Sequence, residues 1–142
     1  MSSRHLLLVL LGISMAAWGL TIAAAQQKAE PTRLAVVWTS GDPDVAHKMV
    51  LMYMHASQKN QWFGENLVIV WGPSSRLLAA DKDLQAKVRS MQDDGVKFQA
   101  CVACANMYGV ADDLTALGIE VKPMGKPLTD LLQDDGWDVL SF

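Results

Sequence analysis

Apolar residues fall along this chain in five short runs, with stretches of helical spacing between them. Leu34-Ala35-Val36-Val37-Trp38-Thr39 and Leu67-Val68-Ile69-Val70-Trp71 show no polar alternation, as expected of strands covered on both faces. Val96–Ala100 and Ile119–Lys122 read as shorter strands of the same kind, and Trp137–Phe142 alternates enough to suit a sheet edge. Between the first two strands, Ser40-Gly41-Asp42-Pro43 forms a turn with Asp42 as N-cap and Pro43 at the first helical position. On the helix that follows, to about Asn60, Val45, Met49, Met52 and Ala56 share one face, flanked by Ala46 and Tyr53. That spacing predicts this stripe as the buried one. His47 and His55 then fall on the far side around Leu51. That side reads as a solvated polar face or, through Leu51 and Met54, as an oligomer contact.

Gly72-Pro73 closes the second strand, and helical spacing covers Ser74 to Asp94, in one or two pieces, until Gly95. Residues from Cys101 to Leu117 are mostly helical, with a break near Gly109, a restart at Asp112 and a stop at Gly118. Pro127–Leu132 supplies one or two further turns. Strand and helix alternate throughout, which predicts one α/β domain of three layers, α/β/α, with a five-stranded, mainly parallel sheet. Ligands of such open sheets gather beyond the carboxyl ends of the strands.

Ahead of residue 33 the pattern changes. Leu6 to Ala24 is apolar apart from small residues, follows the basic Arg4 and runs into Ala23-Ala24-Ala25. This is the grammar of a cleaved export signal over 1–25, with 26–32 a polar leader to a domain at 33–142. The apolar stretch also approaches the roughly 20 residues of a membrane span, so an uncleaved anchor is the competing reading. Cleavage leaves 117 of the 142 residues, enough for one compact domain. It leaves no membrane segment and places the domain in a secreted or periplasmic setting, where paired thiols can oxidise. It also leaves 11 of the 12 basic residues against 15 acidic ones, with no Lys/Arg cluster. That balance argues against nucleic acid and anionic membrane surfaces as partners.

Cys101 and Cys104 are the only cysteines, spaced C-x-x-C where the third strand gives way to a helix. Converging backbone N–H groups at such a junction stabilise an anionic sulfur. Three uses of the pair stay open: a nucleophile with a resolving partner, a dithiol–disulfide couple, or a static disulfide or small apolar filler. The same rim of the sheet gathers Ser40, Gly41, Gly72 and Met124. Trp38 and Trp71 end neighbouring strands and either wall a pocket there beside Cys101 or fill the core.

Other chemistries find less support. One C-x-x-C supplies half the four ligands of a structural zinc site. His47 and His55 lie about 12 Å apart by helical rise. Ala105 stands where haem attachment requires histidine. No metal or cofactor is therefore expected. Gly41–Lys48 lacks the second glycine and the lysine of a phosphate loop. Ser40 and Ser74 lack triad partners at recognisable spacing. Tyr108 and the methionines at 49, 52 and 54 read as packing.

Several blocks occur in a familiar order: the opening strand with Ser40-Gly41, Gly95-Val96-Lys97-Phe98-Gln99-Ala100-Cys101, Tyr108-Gly109-Val110, Leu117-Gly118-Ile119-Glu120-Val121, and Leu128 to Phe142. Together, over residues 33–142, they resemble the DsrE/DsrF-like family with its YchN-like fold. The resemblance implies a three-layer domain that assembles into trimers or hexamers. It also implies a sulfur carrier, in which a cysteine after the third strand takes up a persulfide and passes the sulfur to a partner. That cysteine falls on Cys101. This chain departs from the well-understood carriers in its export signal and in the added thiol of Cys104. The expectation is an exported protein of sulfur or thiol transfer, with Cys101 as nucleophile, Cys104 as resolving thiol and a sulfur donor or acceptor protein as partner. The alternatives are a non-catalytic oligomeric binding module with a fixed Cys101–Cys104 disulfide, and a thiol–disulfide oxidoreductase.

Overall fold

The computed structural model describes residues 32–142. The export signal expected over 1–25, and all of the leader except Thr32, lie outside the described residues. Five strands form one sheet: β1 (Arg33–Trp38), β2 (Glu65–Val70), β3 (Lys97–Cys101), β4 (Glu120–Lys122) and β5 (Trp137–Ser141). Their order is β4-β3-β2-β1-β5, and every neighbouring pair is parallel. The helices are α1 (43–59), α2 (Pro73–Ala80), α3 (Lys82–Asp93), α4 (Val102–Tyr108), α5 (Ala111–Ala116) and α6 (Gly125–Gln133).

Topology decides which face each helix covers. From β1 to β4 each step moves one place in the same direction, so right-handed crossovers put α1 to α5 on one face. The return from β4 to β5 spans the sheet and lays α6 on the other. The two sides of the core follow. Leu34, Val36, Trp38, Val68, Val70 and Phe98 point into the α1–α5 layer, against Val50, Met54, Leu84, Val88 and Met91. Ala35, Val37, Leu67 and Ile69 point the other way, with Cys101, Cys104 and Met124. This second layer is thin: no residue of α6 is fully buried, and Leu128 and Leu131 reach the sheet only partly covered.

Helix boundaries follow local chemistry. The Asp42 carboxylate accepts from the N–H groups of Asp44 (2.7 Å) and Val45 (3.4 Å), with Pro43 at the first position. Asp81 ends α2 and caps α3 in the same way, through Asp83 and Leu84. Gly109 ends α4 in the left-handed conformation, φ 69°, which a side chain resists.

The register of α1 overturns the expected stripe. Residues Ala46–Val50 form a π-turn, in which the Leu51 N–H donates to the Ala46 carbonyl. The buried residues are Ala46, Val50, Leu51, Met54 and Ser57, whereas Met49 and Met52 are exposed. Leu51 and Met54, the alternative reading's oligomer contact, lie wholly inside the core. His47 and His55, expected on a solvated face, are half-buried. The wider turn lets Val50 and Leu51 both face inward, one stripe over from the apolar stripe that regular α-helical spacing selects.

Candidate functional site

β3 ends at Cys101, and α4 begins at the next residue. Cys101 is the N-cap, with extended backbone (φ −70°, ψ 111°) and no side-chain capping bond. Cys104 follows in the first turn of α4, so one strand–helix junction brings both sulfurs together. Both thiols are free, and the Cys104 thiol is hydrogen-bonded to Cys101. They are 5% and 7% exposed, so the sulfurs sit just under the surface of the rim.

The walls come from other segments. Gly72, in the turn after β2, directs its backbone N–H to the Cys104 sulfur. Trp71 and Leu128 pack partly covered against the cluster that holds the cysteines and the buried Met124. Burial first, and the bond to Cys101 second, push the Cys104 thiol up from the ordinary cysteine range. The Gly72 backbone pulls against them more weakly.

Two neighbouring loops complete the rim. Ser74 donates from Oγ to the Trp38 carbonyl and accepts from the Trp71 N–H (3.0 Å), which ties the turn after β2 to the end of β1. Gly41 packs against Pro73, whose Cβ would stand 3.1 Å from any Cβ added there. Thr39 is bound from its N–H (2.7 Å) and from Oγ1 (2.6 Å) to the Phe142 carbonyl.

Of the rim residues singled out in the sequence, the structure gathers Trp71, Gly72 and Met124 with the two cysteines. Ser40 and Gly41 belong to the loop beyond β1; Ser40 Oγ accepts from the Asp42 N–H at 3.1 Å. Trp38 does not wall this site. It lies fully buried on the opposite face of the sheet, with its indole N–H donated to the Ser40 carbonyl at 2.9 Å. Tyr108, one turn after Cys104, lies 5.3 Å beneath the Arg76 guanidinium.

One polar group in register with Cys101 escaped sequence reasoning. Cys101 pairs in register with Lys122 at the end of β4, and Gln99 with Glu120. Gln99 Nε2 donates to Glu120 Oε2 (2.9 Å), and Lys122 Nζ donates to the same oxygen (2.8 Å). The Lys122 ammonium first, and Gln99 more weakly, hold the Glu120 carboxyl below the usual carboxylate range. No local motif marks Lys122; only the cross-strand register places it beside a cysteine 21 residues earlier in the chain.

A sequence profile of the DsrE/DsrF-like family matches residues 74–142, the stretch that contains both cysteines, β3, β4 and α6. A conserved protein of unknown function from Bacteroides thetaiotaomicron, BT1422, is 35% identical, with a TM-score of 0.74 over 78% of this chain and 95% of that one. The chain belongs to the DsrE/DsrF-like family. The DsrE-like fold is shared with the ychN protein from E. coli, at a TM-score of 0.59 and 14% identity, over 79% of this chain and 99% of that one. No curated protein matches the chain.

Proposed function

We propose that this DsrE-like protein is a sulfur carrier that loads a persulfide on Cys101, with Cys104 as its resolving thiol. The observation that carries the reading is the placement of the pair. Cys101 ends β3 and caps α4, the position after the third strand where the family resemblance sets the carrier cysteine, and Cys104 follows in the first turn of the helix, within reach as a resolving thiol. In loading, the Cys101 thiolate attacks the outer sulfur of a persulfide donor. The donor's S–S bond breaks, and its thiolate leaves with the electron pair and takes up the proton. In discharge to an acceptor, an acceptor thiolate attacks the outer sulfur and Cys101 leaves as thiolate. Without an acceptor, Cys104 attacks the inner sulfur, a Cys101–Cys104 disulfide forms and hydrosulfide departs. An external dithiol then returns the pair to its reduced state by exchange.

The family membership and the location at the carboxyl ends of the strands support this reading. The export pattern of residues 1–25 supports a secreted or periplasmic setting, with a donor or acceptor protein there. Self-association as a homo-oligomer, trimer or hexamer, is part of the proposal. Its support is the family resemblance and the exposed Met49, Met52 and Trp62, at 46%, 57% and 55%.

The test is sulfide release after loading with a small persulfide. The wild-type protein releases hydrosulfide and gains a disulfide, whereas Cys104→Ser retains the sulfur on Cys101. Equal release from both proteins removes Cys104 from the mechanism.

A further inference from the structure

The pairing of Cys101 with Lys122 carries a further inference, which rests on the carrier reading above. The two residues are register partners at the ends of β3 and β4, and adjacent strands run about 4.8 Å apart. Their side chains share one face of the sheet. Cys101 belongs to the cluster on the α6 side. Gln99, two residues before it, bonds Glu120, and Glu120 bonds Lys122 two residues on. Phe98, Ala100 and Val121, the alternate positions, belong to the other face. An ammonium group thus stands one strand away from the reactive sulfur.

Its present partner is a poor competitor for that charge. Glu120 is more exposed than Lys122, with side-chain exposures of 59% and 29%, and ion pairs in water gain little. Lysine carries a point charge on a flexible four-carbon stem. It can turn from a carboxylate on its own strand to a sulfur on the next without moving the backbone. A persulfide on Cys101 would place a negative outer sulfur one bond beyond Sγ, beside the apolar Trp71 and Met124. A charge there is costly unless it is paired.

We propose that Lys122 holds the anionic outer sulfur at Cys101, first on the incoming donor and then on the loaded persulfide, and so selects small anionic sulfane donors of the persulfide or polysulfide class. During transfer the donor's S–S bond breaks, its thiolate leaves with the electron pair, and the new S–S bond forms on Cys101. The charge that Lys122 pairs with stays on the transferred sulfur, and Glu120 returns to water.

Inorganic polysulfide is the probe. Loading rate is read as the gain of one sulfur in intact mass, on the wild-type protein and three variants whose thermal unfolding is checked alongside. Loss of one charge-assisted contact lowers the loading rate of Lys122→Gln by about tenfold. Lys122→Arg keeps most of the wild-type rate, and Glu120→Gln, which frees the ammonium, loads faster than wild type. A purely structural ion pair predicts another pattern, since Lys122→Gln and Glu120→Gln both break it and would slow loading together. That outcome, or a wild-type rate in Lys122→Gln, overturns the assignment of Lys122 and leaves the carrier reading intact. Failure of the wild-type protein to gain sulfur on Cys101 overturns the carrier reading, and this assignment with it.

Discussion

At Gly72 the backbone takes φ 68° and ψ −134°, a region that side chains avoid, and its N–H faces the Cys104 sulfur. No atom lies within 4 Å of a Cβ built there, so a substitution meets strain and not a clash. Gly72→Ala is expected to cost about 1–3 kcal/mol in chemical denaturation; an unchanged midpoint would show that the turn relaxes freely. Cys104 has a pH signature of its own. Its thiol is raised in the folded state, so the stability tied to it is complete below the ordinary thiol range, about 8.5. That stability is lost as pH climbs toward the raised value. Cys104→Ser should flatten the alkaline decline in melting temperature, and an identical decline in the variant would contradict the shift. At this scale the sequence revealed residue types but not their facing. Trp38 and Trp71 both end continuous apolar runs, and a strand covered on both sides gives no alternation to say which face each takes. Trp38 went to the helix-rich core and Trp71 to the thiols.

The elements themselves were largely legible, because continuous apolar runs, Asp caps and Gly stops each act locally. The five strands and the break at Gly109 fall within a residue or two of their expected places. Helix α1 was the exception. It carries two stripes of helical spacing, Val45/Met49/Met52/Ala56 and Ala46/Val50/Met54 with Ser57, and periodicity alone does not choose between them. The π-turn at Ala46–Val50 settles the choice by turning Val50 and Leu51 inward together. Single alanine substitutions separate the two registers. Met54→Ala, at a fully buried site, should cost about 2–5 kcal/mol, and Met52→Ala, measured at concentrations where the chain is a monomer, should stay within about 0.5 kcal/mol. The reverse order would restore the stripe that regular helical spacing predicts.

For the whole molecule, alternation of strand and helix was enough to predict a parallel α/β sheet. It did not show that one return crossover leaves α6, among the described residues, as the only helix on the second face. That asymmetry puts the two thiols under the thinner layer, and it brings Lys122 beside Cys101 by register alone. Surface carboxylates tie distant parts of the chain together. Lys59 first, and His55 with it, lower Asp94; the Gly136 backbone first, then Arg33, lower Asp134; Lys122 lowers Glu120. A carboxyl lowered in the folded state contributes stability above its ordinary value, about 4, and loses it as pH falls through the folded value. Melting temperature should therefore hold near neutral pH and fall below about pH 4, less steeply in high salt because these groups are solvent-facing. A flat profile to pH 3 would contradict it.

The central claim is that Cys101 is the atom that accepts sulfur. Intact mass after exposure to a persulfide donor, compared between the wild-type protein and Cys101→Ser, tests it most directly. The account predicts a gain of one sulfur atom in the wild type and none in the variant. An equal gain in both would contradict it.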